Sequence, residues 1–316
     1  MAVTVAMSRP LPLPDMELAG RQVKFVHAAT AAEVPDGAVA YLATAVDPVD
    51  AAMIATLPAS VGLIANLGVG YDNIDRAAAA GRGLKVSNTP VVTEDTADLA
   101  FALILAACRR VGEGERYLRA GKWSGDGVPP PVGTRVHGAT LGIVGFGAIG
   151  QAVARRAKGF GMTLLYHSRS ENAAAAGDLG AAYCADLHAL LAASDIVSIH
   201  APLTEKTRGM IDAGALAACK RGSVLVNTAR GALVDEAALI AALDSGHIAA
   251  AGLDVFAEEP QVPAALLAME QVVLTPHIGS ATAQCRADMV QRGLANIARF
   301  LDTGDVIDPV PMTKGE

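Results

Sequence analysis

The pattern that most constrains the fold runs along nearly the whole chain. Short runs rich in Val, Ile and Leu alternate with alanine-rich segments of helical length. Such alternation is typical of parallel sheets, because parallel strands need a crossover connection that is usually a helix. The first series of predicted strands is "VTVAM", "VKFVHA", "VAYLAT", "GLIANLG" and "LKVSNT". The second begins at "ATLGIVGFG" and continues through "MTLLYHS", "DIVSIHA", "SVLVNTA", "AAAGLDVF" and "VVLTPH". Two series in 316 residues predict an α/β protein with two domains.

Two long segments lie outside this alternation. The stretch "TEDTADLAFALILAACRRVGEGERYLRAG" predicts one long helix, with Thr93 as N-cap and acidic residues in the first turn. The proline-rich stretch "GDGVPPPVGTRVHG" follows and breaks regular structure. Near the C-terminus, "ATAQCRADMVQRGLANIARFLDTG" predicts an amphipathic helix that ends at Gly304.

Composition narrows the classes of function. The net charge of −7, without long basic runs, argues against nucleic-acid binding as the main activity. No apolar run reaches the roughly 18 residues of a membrane span, and the N-terminus lacks the pattern of a secretory signal. The four cysteines are far apart and form no C-x-x-C motif, so we expect them to be reduced in a cytoplasmic protein without a metal site. They are Cys108, Cys184, Cys219 and Cys285.

A glycine motif marks the start of the second series. "LGIVGFGAIGQAVARRAKGFG" contains Gly145, Gly147 and Gly150 in G-x-G-x-x-G spacing, between a strand-like and a helix-like run. In that context the first glycine allows a tight turn, the second lets a pyrophosphate approach, and the third allows close packing of helix and strand. An ordinary βα turn in a glycine-rich chain is the alternative, but the strand–turn–helix context favours a dinucleotide site.

The residues after the next strand bear on the choice of cofactor. A carboxylate at this place usually binds the adenosine ribose, but the chain has Ser168, Arg169 and Ser170. Hydroxyl groups and a guanidinium can bind a 2′-phosphate, which a carboxylate would repel. The triplet therefore favours NADPH over NADH. A solvated loop arginine, with use of both cofactors, is the alternative.

Three later motifs each place an ionisable residue after a β-run. They are "VNTARGALVDEAAL", "AAGLDVFAEEP" and "LTPHIGSAT", with Arg230, Glu259 and His277. Ligands of open parallel sheets bind at the carboxyl ends of the strands. Each residue alone could be structural, but together, downstream of the glycine motif, they predict a catalytic set.

These motifs make the chain similar to the D-2-hydroxyacid dehydrogenases. The resemblance is carried by "NLGVGYDNID", "TPVVTEDTADLAFALIL", "LGIVGFGAIG", "HAPLTEKTRGMI", "VNTARGALVDEAALIAAL", "AGLDVFAEEP" and "PHIGSAT", from about residue 62 to 282. The Ser-Arg-Ser triplet resembles the NADPH-using branch that reduces glyoxylate, hydroxypyruvate and hydroxyphenylpyruvate. Residues 1–60 match in pattern but carry no diagnostic motif.

The resemblance implies a role for each site residue. Arg230 would bind the substrate carboxylate and polarise its carbonyl, His277 would donate a proton to the carbonyl oxygen, and Glu259 would orient His277 and favour its charged form. Val69 and Gly70 would offer backbone N–H groups to the substrate carboxylate. The implied cofactor contacts are Thr96, Gly145, Gly147, Ala148, Ile149, Gly150, Ser168, Arg169, Ser170, His200, Ala201, Pro202, Thr207, Thr228, Ala229, Arg230, Asp254, His277 and Ser280.

The resemblance also implies an architecture. We expect two doubly wound, Rossmann- or flavodoxin-like parallel-sheet domains with an active-site cleft between them. Residues 1–92 and 285–316 would form the substrate-binding domain, and 93–284 the dinucleotide-binding domain. Residues 100–135 would form a homodimer contact. Some members of the reductase branch present a tryptophan to the neighbouring subunit's substrate. Here the single Trp123 could instead belong to the dimer arm, so substrate size stays open among glyoxylate, hydroxypyruvate and arylpyruvates.

Two other functions fit the same fold. One is a corepressor or scaffold that senses the nicotinamide cofactor, since fold alone does not fix function. The complete catalytic set and the lack of disordered interaction tails count against it. The other is a formate or phosphonate dehydrogenase. A formate dehydrogenase would have Gln at the position of Glu259.

Overall fold

The computed structural model describes residues 2–124, 127 and 129–312. The chain divides into two compact units, Met1–Val92 with Ala281–Glu316, and Thr93–Ser280. The divisions lie at 92/93 and 280/281. The functional domain bounds expected from the sequence, 92/93 and 284/285, stay a prediction.

The first unit is built on a six-stranded sheet. Its strands are β1 (Val3–Met7), β2 (Met16–Leu18), β3 (Arg21–His27), β4 (Ala38–Thr44), β5 (Leu63–Leu67) and β6 (Lys85–Ser87). They lie in the order β2-β3-β1-β4-β5-β6, and only β2 and β3 pair antiparallel. The connections carry a 3₁₀ turn (Ala31–Glu33) and the helices α1 (Ala51–Thr56) and α2 (Arg76–Gly81). Strand β2 escaped the sequence prediction because its three residues, "MEL", are too short to show a period.

The C-terminal helix, Ala283–Thr303, returns to this first unit. Thr282 caps its start by accepting a hydrogen bond from the N–H of Cys285 at 3.0 Å. Gly304 ends it in a left-handed conformation with φ of 74°. A Cβ added at Gly293 would lie 2.6 Å from a methyl carbon of Leu67, so the helix packs directly on β5. The predicted amphipathic helix and its glycine stop are confirmed.

The second unit is built on a seven-stranded sheet in which every neighbouring pair is parallel. Its strands are β7 (Thr140–Val144), β8 (Thr163–His167), β9 (Ala181–Tyr183), β10 (Ile196–Ile199), β11 (Ser223–Asn227), β12 (Ile248–Leu253) and β13 (Val272–Leu274). The order is β13-β12-β11-β10-β7-β8-β9. Strand order reverses between β7 and β10, and ligands of such sheets bind at this switch point.

Helices cover both faces of the second sheet. They are α3 (Thr93–Cys108), α4 (Val111–Arg119), α5 (Ala148–Lys158), α6 (Ala173–Leu179), α7 (Leu187–Ala193), α8 (Ala213–Ala218), α9 (Glu236–Asp244) and α10 (Ala264–Ala268), with a 3₁₀ turn at Gly231–Leu233. Along β7, Leu141 and Ile143 pack in one apolar cluster and Val144 in the other. Because strand side chains alternate between faces, a sheet covered on both sides reads as a continuous apolar run. The prediction of two parallel-sheet α/β domains is confirmed.

The single long helix predicted after Thr93 is wrong. The structure has two helices, α3 and α4, joined at Arg109 and Arg110, and Arg110 is left-handed with φ of 57°. The carbonyl of Cys108 accepts a hydrogen bond from the N–H of Thr134 at 2.7 Å, so a segment distant in sequence replaces the next helical turn. The apolar period of the sequence gave no sign of this contact.

Three of the four cysteines, Cys108, Cys219 and Cys285, are buried, Cys184 is half-buried, and all four are free thiols. Burial raises the pKa of Cys108 and of Cys219 to about 11, which suits thiols that pack as small apolar groups. Within the described residues, none of the helices combines the length and apolar character that crossing a bilayer requires.

Candidate active site

The glycine motif occupies the turn between β7 and α5. Gly145 has φ of 96°, and a Cβ there would lie 2.4 Å from the backbone nitrogen of Ala201. A Cβ at Gly150 would lie 2.2 Å from the carbonyl oxygen of Gly145. Both positions are therefore closed to any side chain. Gly147 differs, because no atom lies within 4 Å of the place where its Cβ would be.

The open side of this turn suits a pyrophosphate. Gly147 is the N-cap of α5 and provides no side-chain cap, so the first N–H groups of the helix are left to another acceptor. Ala148 is exposed beside it, and Ile149 is half-buried. An anion at a helix N-terminus is stabilised by these N–H groups and by the helix dipole. The residues present fit a dinucleotide.

A loop of three polar residues follows β8, the strand next to β7. Arg169 and Ser170 are exposed and Ser168 is half-buried. The hydroxyl of Ser168 donates to the carbonyl of Ser170 at 2.7 Å, and its own carbonyl accepts from the hydroxyl of Tyr183 at 3.3 Å. The loop is thus held by internal bonds. Ser168 would have to turn its hydroxyl to donate to a phosphate, and Arg169 lies on the exposed surface of the same loop.

The segment after β10 lies across the switch point from the glycine turn. His200 is bonded through its backbone N–H to the carbonyl of Val144 at 2.7 Å, and its Nε2 lies 2.8 Å from the hydroxyl of Ser198. Burial lowers the pKa of His200 to about 4, so its ring is neutral at physiological pH. Ala201 is buried, and the carbonyl of Pro202 accepts from the hydroxyl of Thr207 at 2.7 Å. His200 is therefore a neutral, packed ring rather than a source of charge.

The motif "NTARG" follows β11. Asn227 is buried and holds the turn at both ends, accepting from the N–H of Ala229 at 3.0 Å and donating to the carbonyl of Arg230 at 2.8 Å. Arg230 is half-buried, and its guanidinium donates to the carbonyl of Ala229 at 2.8 Å. The hydroxyl oxygen of Thr228 is buried without a hydrogen-bond partner among the described residues. A buried hydroxyl of this kind is costly unless something pairs with it, and a bound cofactor would do so.

A short carboxylate–imidazole contact joins Glu259 and His277. Oε2 of Glu259 lies 2.7 Å from Nδ1 of His277, and Oε1 accepts from the N–H of Phe256 at 3.1 Å. The side chains are 27% and 33% exposed respectively. Burial alone would raise the pKa of Glu259, but other interactions hold this pKa below its ordinary value. They are the hydrogen bond and charge of His277, the hydrogen bond from the Phe256 N–H and the charge of Arg230. With Nδ1 bound to a carboxylate, Nε2 is the ring nitrogen that can exchange a proton with a ligand.

The loop that carries His277 is held by Asp254, which is fully buried at the end of β12. Its carboxylate accepts from the hydroxyl of Thr275 at 2.6 Å and from the N–H groups of Ile278 and Gly279 at 2.8 and 2.9 Å. Burial raises the pKa of Asp254, an effect that these three donors oppose. His277 itself has φ of 54°, a conformation that needs such support. Asp254 thus serves the loop directly, which the sequence, taken alone, did not indicate.

The remaining predicted cofactor contacts border the same loop. Thr96 is buried in the first turn of α3, and its Cγ2 lies 3.4 Å from where a Cβ of Gly279 would be. Ser280 follows and is half-buried. Two supporting residues, Asn227 and Thr275, were not anticipated. Their only signal is their position at the carboxyl end of a strand, Asn227 as the last residue of β11 and Thr275 directly after β13.

The predicted carboxylate-binding residues, Val69 and Gly70, lie in the first unit, in the loop after β5. Val69 is 36% exposed and Gly70 is half-buried. Gly68 precedes them with φ of 149°, and a Cβ there would meet the Cβ of Ala45 at 2.5 Å. The glycine is therefore required by both the backbone conformation and the close packing on the β4 loop.

Comparisons with known proteins agree with these observations. Residues 101–279 match the family described as "D-isomer specific 2-hydroxyacid dehydrogenase, NAD binding domain". A glyoxylate reductase of Thermococcus litoralis is 48% identical over 259 residues, which cover 80% of this chain and 78% of that protein.

Two solved structures are similar over nearly the full length. One is the NADPH-dependent glyoxylate/hydroxypyruvate reductase of Sinorhizobium meliloti in complex with NADP and malonate, with TM-score 0.86, 34% identity and coverage of 98% of this chain and 97% of that one. The other is the holo form of D-mandelate dehydrogenase of Rhodotorula graminis, with TM-score 0.84, 32% identity and coverage of 98% and 97%. The chain belongs to the D-isomer-specific 2-hydroxyacid dehydrogenase family and is an NAD(P)-dependent dehydrogenase.

Proposed function

We propose that this dehydrogenase reduces a small 2-oxo acid to the D-2-hydroxy acid with NADPH, and that His277 donates the proton. The observation that carries the proposal is the 2.7 Å contact between Glu259 and His277, on a loop of the dinucleotide-binding unit. A carboxylate bound to one ring nitrogen favours the imidazolium and fixes which nitrogen gives up the proton. General acids of this kind contribute typically 10²–10⁴-fold to a rate.

Arg230 binds the substrate carboxylate in this proposal. Its planar guanidinium matches a carboxylate with two parallel hydrogen bonds and keeps its charge at every relevant pH. The Asn227 bonds on either side of Arg230 limit the movement of its backbone. Backbone N–H groups of Val69 and Gly70 are further proposed donors to a substrate carboxylate. Charge on the substrate oxygen is then neutralised by Arg230 and by the proton from His277.

The cofactor, when bound, supplies the hydride. The glycine turn takes the pyrophosphate, as the open space at Gly147 allows. The buried hydroxyl of Thr228, which has no hydrogen-bond partner in the described part of the chain, is a further donor for the cofactor. Arg169 is the residue that favours NADPH, because its guanidinium can pair with a 2′-phosphate, and the neighbouring Ser168 stands where a ribose-binding carboxylate would otherwise repel that phosphate. A structural relative at 34% identity is described as NADPH-dependent and was solved with NADP, which supports this choice.

The relatives support a range of substrate sizes. The sequence relative is a glyoxylate reductase, and the structural relatives include a glyoxylate/hydroxypyruvate reductase and a D-mandelate dehydrogenase, whose substrate carries an aromatic ring. We therefore propose glyoxylate, hydroxypyruvate and an arylpyruvate as the substrates to compare first. Glyoxylate is our first expectation, because two relatives at 48% and 49% identity are glyoxylate reductases.

We also propose that the protein is a homodimer through the segment 100–135. Four large apolar side chains on this segment are strongly exposed: Val111 at 56%, Leu118 at 57%, Trp123 at 73% and Val132 at 90%. Clustered exposed apolar groups of this kind mark interaction surfaces. Residues 125, 126 and 128 of the segment lie outside the described residues. A strictly monomeric species in light scattering at micromolar concentration would contradict the dimer.

The experiment that tests the function is a substrate panel with both nicotinamide cofactors. Oxidation of the reduced cofactor is followed by absorbance, and the product is resolved on a chiral column. We expect turnover of at least one 2-oxo acid to its D-hydroxy acid, with higher kcat/KM for NADPH. The rival function is a corepressor that only senses the cofactor. Cofactor binding without turnover of any 2-oxo acid would favour this rival and reject the enzyme.

A further inference from the structure

The loop after β5 is held by its carbonyl groups. Three consecutive carbonyls, those of residues 68–70, each accept a hydrogen bond from elsewhere in the first unit. In chain order they are bound by the backbone N–H of Thr89 at 3.0 Å, by the side-chain amide of Asn88 at 2.8 Å and by the side-chain amide of Asn66 at 2.7 Å. Thr89 and Asn66 are each only 1% exposed, so two of the three carbonyls are bound by buried residues.

Binding a carbonyl fixes the direction of the following N–H group. In a planar trans peptide the C=O of one residue and the N–H of the next point in opposite directions. The N–H groups of Val69, Gly70 and Tyr71 must therefore point away from the three groups that hold the carbonyls. In the described part of the chain none of the three has a hydrogen-bond acceptor. Successive backbone N–H groups that are left without an internal acceptor are the donors from which anion-binding sites in loops are built.

The amide that holds the last carbonyl is itself fixed. Oδ1 of Asn66 accepts from Nδ2 of Asn73 at 3.3 Å, and Asn73 also donates to the carbonyls of Thr44 and Asp47, at 3.1 and 2.8 Å. The carboxylate of Asp47 binds Thr44 in turn, through its N–H at 3.1 Å and its hydroxyl at 2.7 Å. These bonds join the ends of β4 and β5 and orient the Asn66 amide, so that its N–H₂ group faces the carbonyl of Gly70.

We propose that Asn66 and Asn88 are positioning residues for the substrate carboxylate, and that the N–H of Tyr71 is a third donor beside those of Val69 and Gly70. The two amides do not touch the substrate. They turn the peptides between residues 69 and 71 so that their N–H groups meet the carboxylate without reorganisation. This inference rests on the proposed function for the identity of the anion, a 2-oxo carboxylate.

Kinetics of two single variants, Asn66→Ala and Asn88→Ala, test the positioning role. Loss of the hydrogen bond from one Asn amide to its loop carbonyl should raise the KM for the 2-oxo acid by about tenfold. This is the effect of losing one hydrogen bond to a charged group. The KM for NADPH and kcat should each change less than about threefold, and the pH profile should keep its position on the pH axis. The reason is that the proton donor and the cofactor residues are untouched. Tyr41→Phe is the matched control. It removes a buried hydroxyl that donates to the carbonyl of Ala28 at 3.2 Å in the same unit, and it should leave all constants unchanged.

A second measurement needs no turnover. Amide NMR spectra of the ¹⁵N-labelled enzyme with bound NADPH are recorded while oxamate, a non-reacting 2-oxo acid mimic, is added. We expect the N–H signals of Val69, Gly70 and Tyr71 to shift together, and the oxamate Kd to rise about tenfold in Asn66→Ala and in Asn88→Ala. If one variant fails to fold, judged by circular dichroism, the other still decides.

The outcomes separate this inference from the proposed function. If no 2-oxo acid is reduced but the three amides still shift with oxamate, the function fails and the carboxylate site stands. If 2-oxo acids are reduced while both variants keep the wild-type KM and oxamate Kd, the positioning role is rejected. Shifts at Val69 and Gly70 without Tyr71 would reject the third donor alone.

Discussion

Replacing Glu259 with Gln keeps the shape of the residue and removes one charge from the proton-donating pair. Other charges and hydrogen bonds hold the pKa of Glu259 below its ordinary value, so its carboxylate is ionised at neutral pH. At the 2.7 Å between Oε2 and Nδ1, Coulomb's law gives roughly 1.5 kcal/mol in bulk water and about 6 kcal/mol at an effective dielectric constant near 20. Because both side chains are about a quarter to a third exposed, we take the lower value.

That energy corresponds to about one pH unit. Reduction needs His277 protonated, so kcat/KM for the 2-oxo acid should fall as pH rises through an apparent ionisation. In Glu259→Gln this descending limb of the pH profile should lie about one pH unit lower, since the imidazolium has lost its anionic partner. Oxidation of the hydroxy acid needs the neutral ring, so its rising limb should move to lower pH as well.

The assay is the pH dependence of kcat/KM in both directions, with saturating cofactor, from about pH 5 to 10. Glu258→Gln is the matched control, because Glu258 is an exposed carboxylate next in sequence and its loss should leave the limb in place. A limb in Glu259→Gln that stays at the wild-type pH, or moves upward, would refute the account of the pair.

Three further predictions follow from other parts of the chain. Arg169→Ala should raise the KM for NADPH by tenfold or more and leave that for NADH nearly unchanged; equal losses with both cofactors would count against a 2′-phosphate contact. Gly147→Ala should weaken NADPH binding in a fluorescence titration without lowering Tm, because its Cβ meets only open space, whereas Gly150→Ala should lower both, because its Cβ would meet the carbonyl of Gly145 at 2.2 Å. Asp308→Asn should reduce the free energy of unfolding at pH 7 by about 1–2 kcal/mol in urea titrations. Burial alone would raise the pKa of Asp308, but bonds from Arg292 and Asn296 hold it below the unfolded value; this stability is present above pH 4 and disappears at lower pH, where wild type and variant should converge.

The sequence predicts the sheets because they follow from local patterns. The buried runs of β7 and β10, and the strand–turn–helix around Gly145, obey periods that are visible over a few residues. Where a contact between distant segments decides the local structure, the sequence prediction fails. The break between α3 and α4 depends on Thr134 binding the carbonyl of Cys108, 26 residues earlier in the chain. Strand β9, Ala181–Tyr183, is three residues long and exists because β8 offers a free edge.

The candidate site likewise contains residues that the sequence predicts and residues that it does not. Arg230, Glu259 and His277 could be selected because each stands after a strand in a recognisable motif, and the structure brings Glu259 and His277 into contact. The supporting roles could not be predicted, since the resemblance implies Asp254 only as a cofactor contact and does not imply Asn66 at all. Asp254 holds the His277 loop through two backbone N–H groups and one hydroxyl, and Asn66 acts on the carbonyl of a residue four positions later. Bonds to backbone atoms leave no pattern in the sequence.

The central claim is tested most directly by the rate of NADPH oxidation with a 2-oxo acid in the wild type and in His277→Asn. Asn is chosen because it tolerates the left-handed backbone at φ of 54°, which would strain Ala. We predict measurable reduction of glyoxylate, hydroxypyruvate or an arylpyruvate by the wild type. In His277→Asn, kcat should fall by at least about 10²-fold, while NADPH affinity and Tm are kept. A variant that reduces the same substrate at near wild-type kcat would contradict His277 as the proton donor.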